Sequence, residues 1–352
     1  ARGVDMVVLL VRTVGTIYVL EMGWGLWGLV FAVIAGNACA VIGNRIFAGK
    51  VHTGLRSFPF LYSRERLREL FGYGIYAFLS KSAIKIIGQS DLVIVGVFLS
   101  VADVREYSVG AMLVYYSATF IALIGQTFFP TIQKTVSGGT LGEVRHLFNR
   151  QLRITLCFGL LVYLGFIFFS QQFINLWMLQ DGFNHESVVA AAAVMSILAL
   201  SKLPTLFIHP CINVLSAIGK VGFTARLTML EAVVNLVLSI LFVKYFDLGI
   251  VGVALGTLAG RLLVSTLVMP IFLCRQINVN LADFLKYSVM PGFFAAIVFS
   301  LPCYFMTHFW VADSWPKFSI QVLSVVLFWG IVSWSMLLPA DIRQRCIVKL
   351  KV

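Results

Sequence analysis

Long apolar segments recur along the chain and are separated by short polar connections. Each segment is long enough for an α-helix to cross a hydrocarbon core of roughly 30 Å. The pattern therefore predicts ten membrane-spanning helices, at residues 2–20, 25–45, 68–99, 106–130, 152–170, 187–216, 226–245, 249–273, 284–307 and 318–338.

The composition supports the same interpretation. Hydrophobic residues form 60% of the 352 residues, charged residues form 12%, and the mean hydropathy is +0.94, whereas soluble domains contain about 25% charged residues. We therefore expect an all-α polytopic membrane protein. The six cysteines are scattered singly, without a Cys-x-x-Cys pair or a Cys/His cluster, so we expect no metal site, no disulfide and no cofactor.

Lysine and arginine are concentrated in alternate connections. The connections 45–68 and 131–153 are rich in them, whereas Arg105, Lys244 and Lys317 each stand alone in an intervening turn. Because cytoplasmic loops of membrane proteins are enriched in Lys and Arg, the basic connections and both termini are predicted to be cytoplasmic. This topology explains most of the formal net charge of +12, so no nucleic-acid partner is expected.

One spacing of small residues occurs twice. It is present at Gly249, Gly252, Gly256 and Gly260 and, 224 residues earlier, at Gly25, Gly28, Ala32 and Gly36. Small residues at every fourth position form a smooth helix face on which a second helix packs closely. Two copies at the same place in a two-span unit indicate an internal repeat, which is how many transporters are built.

The position of the repeat predicts an incomplete first half. Four predicted spans precede the second copy, at residues 68–216, and none precedes the first copy. If the halves are equivalent, four spans are missing on the N-terminal side, and the intact protein has about fourteen spans in two similar lobes.

The order of several motifs carries a family resemblance. Asp91 is followed by an apolar run, a short turn, the pair Tyr107-Ser108, and Pro130 near the end of the next span. Together with the glycine-rich segment DLGIVGVALGTLAGR, this order resembles the polysaccharide flippases of the multidrug/oligosaccharidyl-lipid/polysaccharide exporter superfamily. The resemblance covers nearly the whole chain and implies a two-lobed, inverted-V fold with pseudo-symmetric lobes.

The resemblance and the repeat together imply a domain organisation. We expect the last two helices of the N-lobe at 1–48, a cytoplasmic amphipathic linker at 49–67, a six-helix C-lobe at 68–275, two additional helices at 276–338 and a basic cytoplasmic tail at 339–352.

The resemblance also implies a function. It indicates a transporter in the bacterial cytoplasmic membrane that flips a polyprenyl-diphosphate-linked oligosaccharide by alternating access. The expected partners are this lipid-linked oligosaccharide and membrane lipids, and a polysaccharide polymerase and chain-length proteins are further candidates.

Ionisable residues at membrane depth are functional candidates because they are costly to place there. The cationic candidates for cargo binding are Arg12, Lys85, Lys202 and Arg261, and the candidates for ion coupling are Asp91 and Glu231. Arg and Lys bind diphosphate groups well, and this excess of cations favours an anionic cargo over a cationic drug. We expect Arg12, Lys85 and Arg261 to face one central cavity.

A second interpretation of these residues is that they pair among themselves. Asp91 with Lys85, or Glu231 with a neighbouring arginine, would then serve only to stabilise the fold. Arg261 has no cationic counterpart in the first copy of the repeat, where Asn37 stands, and is therefore the position that packing explains least.

Two prolines interrupt the predicted span 187–216. Pro204 and Pro210 each remove a backbone hydrogen bond, so we expect a kink that acts either as a hinge or as a packing bend.

Other functions remain open at this point. Within transport, the alternatives are a lipid II flippase and a multidrug/cation antiporter. Outside transport, the alternative is a membrane-embedded glycosyl ligase or acyltransferase, which would need clustered catalytic acids or bases; the sequence shows no nucleophile–base pair and no acidic motif with metal-ligand spacing.

Overall fold

The regular elements of this computed structural model are helical throughout the residues that it describes, which are 2–51, 63–179, 182–338 and 343. The helices are α1 (Arg2–Glu21), α2 (Gly25–Val51), α3 (Arg64–Phe98), α4 (Val101–Gly138), α5 (Leu141–Met178), α6 (His185–Lys202), α7 (Thr205–Ala217), α8 (Val221–Lys244), α9 (Gly249–Gln276), α10 (Leu281–Phe284), α11 (Met290–Phe309) and α12 (Trp315–Met336), with a π-helical turn at Leu285–Val289.

The helices match the predicted membrane spans closely. Nine helical segments within the described ranges are long and apolar enough to cross a membrane; α6 with α7 forms one of them, and α10 through α11 forms another. They cover the predicted spans from 25–45 to 318–338. The predicted span 2–20 lies on α1, which is not one of the nine. The expected all-α, multi-pass membrane architecture is confirmed.

Contacts divide the chain into two compact units, residues 1–69 and 70–352. Most of the predicted linker, at 52–62, and of the predicted tail, at 339–342 and 344–352, lies outside the described residues. The predicted domain boundaries therefore stay predictions.

Side-chain caps begin three consecutive helices of the second unit. Ser100 and Asp103 form a reciprocal capping box at the start of α4, Thr140 caps α5, and Asn184 caps α6. Such caps satisfy backbone N–H groups that the first helical turn leaves without partners. They allow long apolar helices to follow one another through short polar turns.

The first unit contains the hairpin of α1 and α2. Gly15 of α1 faces Ala32 of α2, and a Cβ atom on Gly15 would lie 3.6 Å from the Cβ of Ala32. The side chain of Arg12 lies over Gly36 and donates a hydrogen bond to the Oδ1 of Asn37. Small residues therefore bring the two helices together, and the contact of Arg12 with Asn37 joins them.

The second unit contains the corresponding hairpin of α8 and α9. Gly256 faces Ser239, and a Cβ atom on Gly256 would lie 2.2 Å from the Ser239 Oγ and 2.6 Å from its backbone nitrogen. Gly260 is equally close to the backbone of Asn235, at 3.0 Å. The glycine stripe of α9 therefore packs directly against the backbone of α8, as its spacing predicts.

The two hairpins also share their turn geometry. Gly23 and Asp247 have positive φ angles of 71° and 51°, and Gly25 and Gly249 have φ angles of 54° and 53°. Each pair is separated by 224 residues, and α2 and α9 begin at Gly25 and Gly249. Because only glycine adopts positive φ without cost, the matched glycine at the helix start reflects a shared backbone path. The structure thus confirms the repeat in these hairpins.

The core of the second unit lies among α4, α5, α6, α7 and α9. Its largest fully buried side chains include Tyr107, Tyr163 and Met195. The last two long helices, α11 and α12, pack on α5; Trp329 of α12 donates a 2.7 Å hydrogen bond to the backbone oxygen of Cys157. The buried polar residues described below lie on these core helices and on α3 and α8.

The span 187–216 is broken at one of its two prolines. Helix α6 ends at Lys202 and α7 begins at Thr205, with Pro204 at the cap position. Pro210 lies inside α7, where the helix continues. The interruption expected at Pro204 is thus confirmed, whereas Pro210 does not end a helix. Whether either proline is a hinge stays a prediction.

The close contact between Gly256 and the backbone of α8 leads to a prediction about stability. Gly256→Ala should lower the free energy of unfolding by about 1–3 kcal/mol, because the new methyl group meets the backbone of α8, which cannot move without separating the hairpin. Thermal unfolding of the purified protein measures this. The matched control is Gly330→Ala on α12, where nothing lies within 4 Å of the place that the new methyl group would take and helix propensity favours alanine. Equal melting temperatures for the two variants would contradict the prediction.

Candidate functional site

A buried carboxylate forms the centre of the polar residues in the second unit. Asp91 lies on the buried stripe of α3 together with Ala83 and Ile87, and it is 0% exposed. Its Oδ2 accepts hydrogen bonds from the phenol groups of Tyr107, at 2.7 Å, and Tyr115, at 2.9 Å. These two tyrosines come from α4. A charged side chain inside a membrane helix is thereby stabilised by donors from a neighbouring helix.

The hairpin of α8 and α9 completes the surroundings of Asp91. The hydroxyl of Thr257 donates to Asp91 at 3.1 Å and accepts a 2.7 Å hydrogen bond from the Nδ2 of Asn235. Thr257 is one residue past Gly256 in the glycine stripe. The close packing of the hairpin therefore places Thr257 between Asn235 and Asp91.

An ammonium group lies beside this cluster. Lys202, at the C-terminal end of α6, is 8% exposed, and its Nζ lies 4.8 Å from the centroid of the Tyr115 ring. A cation over an aromatic face is favourable, and so is a cation at the carbonyl end of a helix. Tyr115 thus contacts Lys202 through its ring and Asp91 through its hydroxyl.

A second charged pair lies on α8 and α9. The Nε of Arg261 contacts the Oε1 of Glu231 at 2.8 Å, and both side chains are largely buried. The hydroxyl of Ser265 donates to the Oε2 of Glu231. Both carboxylate oxygens of Glu231 therefore have partners on α9, and the pair joins the two helices of the hairpin.

Arg261 also reaches the broken span. Its Nη1 donates to the backbone oxygen of Ser201 at 3.4 Å, just before the break between α6 and α7. Proline has no N–H to donate at position 204, and a broken helix leaves carbonyl groups that need donors. Arg261 therefore links the charged hairpin to the end of α6.

The buried acidic and basic residues of the second unit are balanced in number. Among its described residues they are two acids, Asp91 and Glu231, and two bases, Lys202 and Arg261. Lys85, two residues from the buried stripe of α3, is exposed and does not belong to this set. The excess of cations at membrane depth, which the sequence predicts, stays a prediction.

Of the two ion pairs considered from the sequence, the structure contains one and lacks the other. Asp91 does not pair with Lys85; it is satisfied by hydroxyl groups instead. Glu231 does pair with a neighbouring arginine, Arg261. Because Arg261 is buried in this pair, it does not present an unoccupied guanidinium to a cavity in this conformation.

Arg12 is placed separately, in the first unit. It is half-buried and bonded to Asn37 of the same hairpin. Asn37 and Arg261 occupy matching repeat positions, so each hairpin joins its helices by a polar contact just after the last small residue. The common cavity predicted for Arg12, Lys85 and Arg261 stays a prediction.

Three residues of the cluster were not predicted from the sequence. They are Tyr115, Thr257 and Ser265. A signal was present on α9, because Thr257, Arg261 and Ser265 follow one another at every fourth position and so share a helix face. This polar stripe lies one residue beside the glycine stripe. The tyrosines gave no comparable signal, since aromatic residues are common in apolar helices.

The chain also matches a known protein family. A family described as "Polysaccharide biosynthesis protein" matches residues 2–185, which is more than half of the chain. The chain belongs to this family.

A curated relative of this polysaccharide biosynthesis family member comes from an archaeon. It is the probable low-salt glycan biosynthesis flippase Agl15 of Haloferax volcanii, which is 23% identical over 244 residues, covering 69% of this chain and 48% of the relative. The chain thus spans about half the length of that protein.

Two solved structures resemble this family member in fold. The lipid II flippase MurJ, in an inward closed conformation, has a TM-score of 0.54 and 17% identity, over 92% of this chain and 64% of that chain. MATE in a bent conformation has a TM-score of 0.61 and 15% identity, over 82% of this chain and 63% of that chain. The family match shows the polysaccharide biosynthesis family, and these two structures support the fold that the sequence resemblance implies.

The hydrogen bonds to Asp91 make a second stability prediction. Tyr107→Phe removes one donor from a buried carboxylate and should cost about 1.5–3 kcal/mol of unfolding free energy. The matched control is Tyr116→Phe on the same helix, because Tyr116 is 61% exposed; it should change stability by less than about 0.5 kcal/mol. Chemical or thermal unfolding in the same detergent measures both, and a Tyr107→Phe variant as stable as the control would refute the role of the phenol.

Proposed function

We propose that the protein flips a polyprenyl-diphosphate-linked oligosaccharide across the cytoplasmic membrane by alternating access. The repeat unit of an O-antigen, capsule or exopolysaccharide is the class of cargo that this proposal names. Membership of the polysaccharide biosynthesis family and the similarity in fold to a lipid II flippase support it. In the proposed setting the membrane is the bacterial inner membrane and both termini are cytoplasmic.

The observation that carries the proposal is the chain of polar contacts across the core. It runs from Asp91 on α3 through Tyr115 on α4 to Lys202 on α6, and the Arg261–Glu231 pair joins α8, α9 and the end of α6. Buried ion pairs are weak sources of stability, because desolvation offsets much of their attraction. Their retention in a membrane interior supports a functional role.

Ion coupling is proposed for the two acids. Asp91 is surrounded by hydroxyl groups that can reorient when the charge on the carboxylate changes. Carboxylate, hydroxyl and amide oxygens are also the ligands of hard cations. A proton or a sodium ion arriving at Asp91 or Glu231 would change the contacts of helices α3, α4, α8 and α9 together.

Cargo binding is proposed for the cations. Protonation of Glu231 would remove the charge that holds Arg261, and Arg261 would then be able to donate to a diphosphate through its guanidinium fork. Lys202 and Lys85 would add point charges in the second unit, and Arg12 stays a separate candidate in the first unit. The diphosphate would thus compete with Glu231 for the same arginine, which couples the acid to the cargo.

The alternatives differ in their cargo. A lipid II flippase would carry a different diphosphate-linked sugar, and a multidrug/cation antiporter would need an excess of buried acids, which the balanced set around Asp91 and Glu231 does not provide. A glycosyl ligase or acyltransferase would change the glycan chemically. Loss of the protein gives the test. The proposed function predicts that lipid-linked repeat units accumulate and that drug tolerance stays unchanged.

The Arg261–Glu231 pair leads to a prediction about polysaccharide export. Removing one partner leaves a buried unpaired charge, which costs about 3–5 kcal/mol, so Arg261→Gln alone tests folding more than transport. The double variant Glu231→Gln/Arg261→Gln keeps hydrogen-bonding groups at both positions without either charge. We expect it to reach the membrane normally and to reduce surface polysaccharide at least about tenfold in a strain that lacks its own flippase, with the unaltered protein as the reference.

Two controls make the result decisive. Lys317→Gln changes an exposed cation and should leave export at the reference level, and immunoblots of the membrane fraction compare the amounts of protein. Normal export by the double variant would refute the role of the charge pair, whereas failure of the unaltered protein to restore export would refute the proposed function itself.

A further inference from the structure

A second polar site lies away from the charged cluster. A cavity of about 390 Å³ is lined by residues of α4, α5, α7 and the start of α8. Its polar lining residues are Gln126, Gln151, Thr155, His209, Asn213 and Ser216. This volume falls within the range of about 300–1,000 Å³ that is typical of small-molecule sites.

The polar lining follows helical spacing on two facing helices. Gln151 and Thr155 are four residues apart on α5, and His209, Asn213 and Ser216 share one face of α7. Two polar stripes directed into the same space, inside helices that are otherwise apolar, form a built pocket rather than an accidental packing defect.

The pocket contains polar groups without partners. Gln151 is 0% exposed and Thr155 is 3% exposed, yet both amide atoms of Gln151 and the hydroxyl of Thr155 have no hydrogen-bond partner among the described residues. A buried polar group that lacks a partner costs about 1–3 kcal/mol. An occupant of the cavity that both donates and accepts hydrogen bonds would relieve this cost.

The chemistry of the lining favours an uncharged ligand. The described residues around the cavity include carboxamides, hydroxyls and one imidazole, but no carboxylate, ammonium or guanidinium group. A charged group would give up part of its hydration there and gain no carboxylate, ammonium or guanidinium partner in exchange. Each carboxamide offers a donor and an acceptor side by side, an arrangement that suits neighbouring hydroxyl groups.

One glycine keeps the pocket open. Gly125 of α4 lies against the two amides, and a Cβ atom on it would stand 2.9 Å from the Nδ2 of Asn213 and 3.4 Å from the Nε2 of Gln151. The same Asn213 nitrogen donates to the backbone oxygen of Gly125 at 3.2 Å. Any larger side chain at position 125 would occupy the space that the polar groups face.

We propose that this pocket binds an uncharged polyhydroxy group, namely one neutral sugar ring. The assignment of that ring to the cargo rests on the proposed function, whereas the binding itself does not. The apolar lining residue Phe129 gives the ring a surface for its C–H groups, and the three carboxamides contact its hydroxyls. The pocket and the charged cluster would then recognise different parts of one lipid-linked molecule.

Ligand-observed NMR on the protein in lipid nanodiscs, free of glycoside detergents, tests the binding directly. The probes are the methyl glycosides of glucose, galactose, mannose and N-acetylglucosamine, together with glucuronate as the charged counterpart. We expect saturable saturation-transfer signals from at least one neutral glycoside with a dissociation constant of about 1–10 mM. Glucuronate should bind at least about tenfold more weakly.

Two glycine variants of matched size locate the site. Gly125→Val fills the pocket and should abolish the signal or weaken binding at least about tenfold. Gly165→Val, on α5, introduces the same side chain where nothing lies within 4 Å and should bind as the unaltered protein does. If Gly125→Val fails to fold, the pair Gln151→Leu and Thr155→Val removes the hydrogen-bonding groups instead and should give the same loss.

The outcomes separate this inference from the proposed function. Absence of a saturable signal from every neutral glycoside, a signal unaffected by Gly125→Val, or equal binding of glucuronate would overturn the sugar pocket, even if export is intact. A pocket that holds only water would give the first of these results. Binding that is lost with Gly125→Val would support the pocket even if the export assay assigned the protein another cargo.

Discussion

The need to satisfy charges inside an apolar core constrains the second unit more than any other interaction. Glu231 cannot remain buried without Arg261, and Asp91 cannot remain buried without hydroxyl donors, because neither finds water in the interior of a membrane helix bundle. These partners come from different helices, so the position and rotation of each helix are tied to the others. Apolar packing alone would tolerate small rotations that this polar network does not.

The glycine stripe of α9 makes the network geometrically feasible. Gly256 and Gly260 bring α9 against the backbone of α8, and the polar stripe of Thr257, Arg261 and Ser265 is offset from them by one residue. The glycine face of α9 therefore lets α9 lie close to α8, and the adjacent polar face forms the hydrogen bonds and the ion pair that this short distance permits. The hairpin of α1 and α2 follows the same design, with a polar contact between Arg12 and Asn37.

The sequence was most informative where structure depends on local pattern. Apolar runs predicted the helices, and the spacing of small residues predicted the hairpin and its repeat, because both are properties of consecutive residues. Pairing across helices could not be predicted in the same way. Lys85 and Asp91 are close in sequence, but their helix turns one to the surface and the other to the core, and the donors to Asp91 come from α4 and α9.

The break between α6 and α7 divides the span 187–216 into two parts with different chemistry. On the α6 side, Lys202 and the backbone oxygen of Ser201 belong to the charged cluster. On the α7 side, His209 and Asn213 line the neutral cavity. A continuous helix would fix the rotation of these two parts relative to each other, whereas Pro204 interrupts the backbone hydrogen bonds between them. A hinge at Pro204, as proposed from the sequence, would therefore let the contacts of Arg261 change without imposing the same rotation on the lining of the neutral cavity.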